Sequence, residues 1–353
     1  MKRTACVSAV LLAGVIGLSV AALRAQGAPT GQSGQALPPG PTGMMGSSPF
    51  RPEPTGTTFK AATELVALNV AVTDASDRYV TGLSKDDFAV FDDGVPQQVT
   101  FFASTSVPLD LAIMIDTSAS MADKMTFVRD AATNFVHTLR RTDRAEIIGF
   151  SERAEVLAPF TGDLPALEAA VASTAPHGST ALYTSLYVAL QDLSRVARKV
   201  GDVRREAIIV LTDGEDTASL VSFDDLLDSA KRAGVSVYVI SVISEFDTKK
   251  LDVGANRRFI NESDFALKTL AQDTGGRSFF PMELKDLAGV YGQIAEELSS
   301  QYSLAYSPKV YGDGAFHRLI VRVLNHPEAR PRTRAGYYSS RPVRVFGSGG
   351  QQN

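Results

Sequence analysis

Large apolar residues alternate with small or polar ones in the segment ELVALNVAVTD, which begins at Glu64. This period of two is typical of a half-buried strand. Its inward positions share one face and are Val66, Leu68, Val70 and Val72. Turn sequences follow at 74–78 and 92–94, and DFAVFDDGVPQQVTFF predicts two short strands around the second of them. We therefore predict a small antiparallel β unit over residues 57–105.

From residue 108 the pattern changes to short apolar runs separated by longer amphipathic stretches with a helical period. The strand-like runs include LDLAIMI, AEIIGFS, EAIIVLT and VSVYVISV. Such alternation is typical of an α/β fold, so we predict a doubly wound, mostly parallel sheet with helices on both faces over residues 106–300. In such sheets ligands bind outside the carboxyl ends of the strands.

Strand patterns return after residue 300, in YSLAYSP, FHRLIVRVL and RTRAGYYS, with breaks at Gly312 and at 327–331. Because β patterns flank the α/β block on both sides, we predict that they pair into one discontinuous β-sandwich-like unit. Residues 301–343 would complete that unit. The Gly-rich end, 344–353, is predicted to be a disordered tail.

The amino-terminal residues have the pattern of an export signal. Lys2 and Arg3 precede a charge-free apolar run over 5–23, and small residues follow near position 25. We predict a cleaved signal peptide over 1–25, with a retained membrane anchor as the alternative. A Gly- and Pro-rich linker is predicted over 26–56. The chain is therefore expected to be secreted, periplasmic or associated with the cell envelope.

The charge and the cysteine content of the chain exclude several kinds of partner and of functional site. The formal net charge is −4, and no basic run with aromatic residues is present in the sequence, so nucleic acid is excluded as the main partner. Cys6 is the single cysteine and lies within the predicted signal. The mature chain would therefore have no disulfide, no thiol nucleophile and no cysteine zinc site. Nothing in the sequence implies a small-molecule substrate.

Five oxygen-bearing side chains follow predicted strands or precede predicted helices at one edge of the sheet. They come from three loops and are Asp116, Ser118, Ser120, Thr180 and Asp213. An all-oxygen set with two acids is what a hard divalent cation prefers; Mg²⁺ is expected, with Mn²⁺ or Ca²⁺ as alternatives. Taken singly, the residues of each loop have a simpler explanation, because Asp, Ser and Thr also cap helices or form turns. Their conjunction favours a metal site.

The motifs DTSAS, STALYTSL and LTDGED resemble the metal-ion-dependent adhesion site of von Willebrand factor type A domains, a likeness that covers about 106–300. The resemblance implies that Asp116, Ser118 and Ser120 bind the ion from the first loop. Thr180 from the second loop and Asp213 from the third would complete the set. It also implies an open coordination position that accepts an Asp or Glu carboxylate of a protein partner.

Two small residues depart from the usual motif: Ala119 and Ser179 stand where the family commonly has Gly. The flanking β segments are similar to those of exported bacterial proteins related to von Willebrand A domains, common in Acidobacteria. Some members of the family switch affinity by moving the last helix, which the sequence leaves open. The resemblance implies an exported, metal-dependent adhesion or interaction module with no catalytic residues.

Other classes of function remain as alternatives. A structural envelope protein with a non-functional metal site has the same sequence features. A metal-dependent hydrolase is a weaker alternative, and an aspartic protease would need a second Asp-Thr/Ser-Gly motif, which the sequence lacks. Phosphoryl transfer through Asp116 would need an acid where Ser118 stands. His177 lies close to Thr180 in sequence and is interpreted as a polar loop residue.

Overall fold

The computed structural model describes residues 65–104, 107–200, 204–213, 216–242, 262–309 and 312–340. The predicted signal peptide, linker and tail lie outside the described residues. Within these ranges, no helix has both the length and the apolar character needed to cross a membrane.

The strands, in chain order, are β1 (Val66–Thr73), β2 (Phe88–Asp92), β3 (Val95–Gln97), β4 (Val99–Ala103), β5 (Leu109–Asp116), β6 (Arg144–Phe150), β7 (Ala154–Thr161), β8 (Arg205–Thr212), β9 (Ser236–Ser241), β10 (Ser278–Phe279), β11 (Tyr302–Tyr306), β12 (Phe316–Val323), β13 (Arg330–Arg332) and β14 (Gly336–Tyr338). The helices are α1 (Met125–Val136), α2 (Leu164–Ser173), α3 (Leu182–Val200), α4 (Phe223–Ala233), α5 (Glu262–Asp273) and α6 (Leu287–Ser300).

A six-stranded sheet forms the centre of the α/β part, in the order β10-β9-β8-β5-β6-β7. Its neighbouring strands are parallel except β7, which pairs antiparallel with β6. Every residue of β5 is buried, because its two faces are both covered. Ile113 belongs to the core formed with α1, α2 and α6, and Met114 belongs to the core on the other face, formed with α3, α4 and α5. The predicted doubly wound α/β fold is confirmed.

The remaining strands form two four-stranded antiparallel sheets, in the orders β13-β1-β11-β4 and β14-β12-β2-β3. A third hydrophobic core lies between them, to which Leu68 of β1, Val90 of β2 and Tyr302 of β11 contribute. Strands from before and after the α/β part therefore pair directly, as β1 does with β11. The predicted flanking sandwich is confirmed, whereas the exact domain boundaries stay predictions.

Three details differ from the sequence prediction. Strand β7 was not predicted, and DFAVFDDGVPQQVTFF forms three strands instead of two. The chain leaves one sheet after Gln97 and enters the other at Val99, so β3 and β4 belong to different sheets. Pro331, expected in a break, lies within β13. A proline is tolerated there because β13 is the edge of its sheet, where a missing N–H disrupts no ladder.

One buried carboxylate joins the sandwich to the α/β part. Glu297 of α6 has no exposed side-chain surface and accepts hydrogen bonds from the hydroxyls of Tyr79 (2.8 Å) and Tyr238 (2.7 Å). The guanidinium of Arg332, on β13, lies 2.5 Å from the same carboxylate. Helix α6 is thus held by groups from both parts of the molecule.

Candidate metal centre

Asp116 is the last residue of β5 and is fully buried. Its Oδ1 accepts the Ser118 N–H at 2.8 Å, and its Oδ2 accepts the Thr212 hydroxyl at 2.7 Å. Burial raises the pKa of Asp116; the hydrogen bonds from Ser118 and Thr212 oppose that shift, and the charge of Asp213 adds to it. The carboxylate is therefore fixed in orientation at a place where burial disfavours its charged form.

Ser118 and Ser120 lie in the turn after β5, with their hydroxyl oxygens 3.0 Å apart. Ser118 is buried and precedes the short 3-10 helix Ala119–Met121, yet its side chain makes no capping hydrogen bond to that helix. Ser120 is exposed. The two hydroxyls therefore face each other beside the carboxylate that the Ser118 N–H contacts.

Main-chain hydrogen bonds hold the three predicted loops together. The Ala119 N–H donates to the Gly178 carbonyl at 3.0 Å, and the His177 N–H donates to the Thr117 carbonyl at 2.6 Å. In the second loop Thr180 is buried, and its carbonyl accepts the N–H groups of the third loop's Thr217 and Ala218 at 2.9 and 3.0 Å. The loops at this edge of the sheet are thereby fixed relative to one another.

Asp213 follows β8 and faces a buried cation of the chain itself. Its Oδ2 lies 3.2 Å from the Lys124 ammonium, which also donates to the Ser120 carbonyl at 3.2 Å. Only 2% of the Lys124 side chain is exposed. The other oxygen of Asp213, Oδ1, is buried without a hydrogen-bond partner. One carboxylate oxygen thus remains available for a ligand.

Sequence reasoning missed Lys124, Thr212 and the role of Asp216. Lys124 stands three residues after Met121 and four before Val128. This spacing places Lys124 on the inward face of a helix, and it is the sequence signal that could have identified the residue as buried. Asp216 caps α3 by accepting the Leu182 N–H at 3.0 Å. No sequence pattern pairs Thr212 with an acid that lies on a neighbouring strand.

The predicted residues are placed as follows. Asp116, Ser118, Ser120 and Asp213 belong to one connected group with Lys124, and Thr180 lies in the adjoining loop, linked through the main chain. The donor set is made of oxygens alone and includes one buried carboxylate oxygen without a partner. This chemistry fits a hard divalent cation such as Mg²⁺.

His177 is exposed and lies beside this group, with its Nε2 3.0 Å from the Ser151 hydroxyl and its Nδ1 2.9 Å from the Ala175 carbonyl. Its ring is therefore held by loop atoms, in keeping with its interpretation as a polar loop residue.

Comparison with known proteins identifies the family. The profile of the von Willebrand factor type A domain matches residues 110–290. A "UPF0353 protein" of Mycolicibacterium paratuberculosis is 23% identical over 209 residues, 54% of this chain and 62% of the relative. Another, of Mycobacterium marinum, is 26% identical over 200 residues, 53% of this chain and 59% of the relative. The matched region thus covers less than two thirds of these relatives.

Solved structures with a similar fold include a von Willebrand factor type A protein from Catenulispora acidiphila, at 13% identity and a TM-score of 0.45, covering 80% of this chain and 76% of that one. The hypothetical protein BatB of Bacteroides thetaiotaomicron is 20% identical with a TM-score of 0.41, covering 54% and 97%. Since the family profile spans half of the sequence, this chain belongs to the von Willebrand factor type A domain family.

Proposed function

We propose that this protein is an exported, divalent-metal-dependent module that binds another protein. Domains of this family are often interaction or adhesion modules. The ligands would be the five side chains predicted from the sequence: Asp116, Ser118, Ser120, Thr180 and Asp213. The observation that carries the proposal is the buried Oδ1 of Asp213, a carboxylate oxygen without a hydrogen-bond partner beside a second buried acid.

The bound ion would supply positive charge at the sheet edge, where a carboxylate of a partner could reach it. Groups of the chain itself would hold the ligand side chains in place for the ion. The Ser118 N–H and the Thr212 hydroxyl orient the Asp116 carboxylate, and the main-chain bonds between loops keep the hydroxyls in place. The expected partner surface therefore presents an Asp or Glu side chain. Export is proposed from the sequence of residues 1–25 and 26–56.

The second candidate function is a structural envelope protein whose site binds no ion. In that protein Lys124 would act as a permanent counter-charge, as its contacts with Asp213 and Ser120 allow. The two candidates differ in one measurable property, the response of folding stability to divalent ions.

The test is thermal unfolding of the mature protein in Mg²⁺, Mn²⁺, Ca²⁺ or EDTA. An ion at 100 times its dissociation constant adds about 2.7 kcal/mol to the free energy of unfolding. We expect Mg²⁺ or Mn²⁺ to raise the melting temperature of the wild type and of Asp130→Asn, an exposed control on α1. Asp116→Ala should lose the shift. A wild type that unfolds identically in Mg²⁺ and EDTA would favour the structural candidate.

A further inference from the structure

A second group of ligand-type side chains lies in the sandwich, away from the sheet edge described above. It consists of Asp92, the last residue of β2, Asp93 in the following turn, and His317 of β12, the strand that pairs with β2. The Nδ1 of His317 is 2.9 Å from Oδ2 of Asp93 and 3.6 Å from Oδ1 of Asp92. One ligand atom from each residue lies within 4.8 Å of the others.

Asp92 brings a buried carboxylate oxygen without a hydrogen-bond partner into this group. The residue is 6% exposed, and its Oδ2 accepts the hydroxyls of Tyr306 at 2.8 Å and Tyr337 at 2.9 Å. These two bonds fix the carboxylate so that its Oδ1 faces His317, where it makes no hydrogen bond. A buried acceptor without a partner is unfavourable, and a bound cation would remove that cost.

The other two residues are oriented in the same way, each through its second polar atom. Oδ1 of Asp93 accepts the Arg318 N–H at 2.8 Å, which leaves Oδ2 directed at the imidazole. The Nε2 of His317 lies 3.2 Å from a carboxylate oxygen of Asp313. A carboxylate on the far nitrogen of a histidine is the usual outer contact of a metal-bound imidazole, since it fixes the ring and makes it a better ligand.

The charge of the group favours a cation. The carboxylates of Asp92, Asp93 and Asp313 lie around the single imidazole of His317, so a bound cation would offset their negative charge. The separations of 2.9 and 3.6 Å bracket the roughly 3.3 Å between ligand atoms around a tetrahedral ion with bonds of about 2.0–2.1 Å. Asp93 and Asp313 are about half exposed, at 52% and 44%, which gives an ion a route from solvent.

We propose that Asp92, Asp93 and His317 form a second divalent-metal site, selective for Zn²⁺ over Mg²⁺. The ligand atoms are Oδ1 of Asp92, Oδ2 of Asp93 and Nδ1 of His317. An imidazole with two carboxylates suits Zn²⁺, whereas Mg²⁺ and Ca²⁺ prefer oxygen alone. The site joins the β2–β3 turn to β12 and shares no residue with the candidate metal centre at the sheet edge, so the two can be tested separately.

The test is calorimetric titration of Zn²⁺ into the untagged mature protein carrying Asp116→Ala, which removes a proposed ligand of the candidate metal centre at the sheet edge and leaves no cysteine to bind the ion. We expect one Zn²⁺ per chain. Adding His317→Gln should weaken binding about 100-fold or more, while His326→Gln, a histidine in the same sandwich outside the group, should leave it unchanged. Co²⁺ in place of Zn²⁺ should give visible ligand-field absorption that His317→Gln removes.

Asp93→Asn provides a second variant if His317→Gln fails to fold. Asp93 has φ 47°, a conformation that Asn tolerates well, so the turn is expected to persist while one ligand charge is lost. Zn²⁺ binding at least ten-fold weaker in Asp93→Asn supports the site. Absence of Zn²⁺ binding, or binding that is equal in all these variants, would overturn the proposal. His317 would then be a hydrogen-bonding partner of the surrounding carboxylates and not a metal ligand.

Discussion

A buried lysine distinguishes the candidate metal centre at the scale of single residues. The Lys124 ammonium contacts Asp213 and the Ser120 carbonyl, and 2% of its side chain is exposed. A buried charge persists only when it is paired and hydrogen-bonded. Lys124 therefore supplies positive charge to a site with two acids, as a bound divalent cation would. The Lys124 ammonium and a bound divalent ion are therefore expected to compete for the negative charge of Asp213.

We predict that Lys124→Met lowers the free energy of unfolding in EDTA by about 3 kcal/mol, because Asp213 is left as a buried charge without its partner. Mg²⁺ should then stabilise this variant more than it stabilises the wild type. Denaturant unfolding with EDTA or Mg²⁺ measures both effects. The control is Lys231→Met, which removes a partly exposed pair with Asp273. A Mg²⁺ effect no larger than that of the wild type would contradict the prediction.

A buried glutamate makes the stability of the fold depend on pH. Glu146 of β6 is 5% exposed, and its Oε2 has no hydrogen-bond partner. Burial, with a smaller contribution from the charge of Asp192, raises the pKa of Glu146 to about 7 from an ordinary value of 4.5. Between these two values the folded state holds a proton that the unfolded state has lost. This glutamate therefore makes stability fall as the pH rises from 4.5 to 7.

We predict that Glu146→Gln is more stable than the wild type at pH 8.5, by on the order of 2 kcal/mol, because a neutral amide needs no ionisation in the core. Near pH 4 the two proteins should differ little. Urea unfolding across this range measures the difference. An equal gain at both values of pH would show that packing, and not ionisation, causes it.

Among the elements, α6 contacts the sandwich through a carboxylate with no exposed side-chain surface. Its Glu297 accepts hydroxyl hydrogen bonds from Tyr79 and Tyr238 and pairs with Arg332. Two of these three groups, Tyr79 and Arg332, belong to the sandwich part of the chain. Any displacement of α6 along its axis would break these contacts while the carboxylate is buried. The structure therefore favours one position of this helix.

We predict that Glu297→Gln lowers the free energy of unfolding by about 3 kcal/mol, because Arg332 loses the carboxylate that neutralises it. The matched control is Glu296→Gln, since Glu296 is the preceding residue of α6 and is exposed. Hydrogen exchange should become faster in the amides of α6 and β13 in Glu297→Gln alone. Unchanged exchange there would mean that packing against the sheet suffices to hold the helix.

At the scale of the whole molecule, the sandwich is built from both flanks of the α/β part. Strand β1 pairs with β11, and β2 pairs with β12, across more than 200 residues of sequence. The same pairing brings Asp92 and His317 together. A second ligand group thus arises from strands that have no local connection. Because Tyr79 and Arg332 of the sandwich contact Glu297 of α6, the two parts support each other.

The sequence by itself determined the class of the fold and the candidate site at the sheet edge. Hydrophobic period distinguishes strands from helices locally, and the carboxyl ends of parallel strands must share one edge. Asp116, Ser118, Ser120, Thr180 and Asp213 could therefore be placed before any contact was known. The family profile confirms the fold, and metal binding by these residues stays a prediction for the ion titrations.

Only the tertiary structure decided which distant residues share a buried environment. The transfer of the chain between sheets after Gln97, the pairing of Lys124 with Asp213, and the convergence of Asp92 with His317 all depend on packing between separate elements. Local periodicity fixes which face of an element a side chain occupies, but not which element covers that face. Burial, and with it the need of a charge for a partner, is a property of the assembled fold.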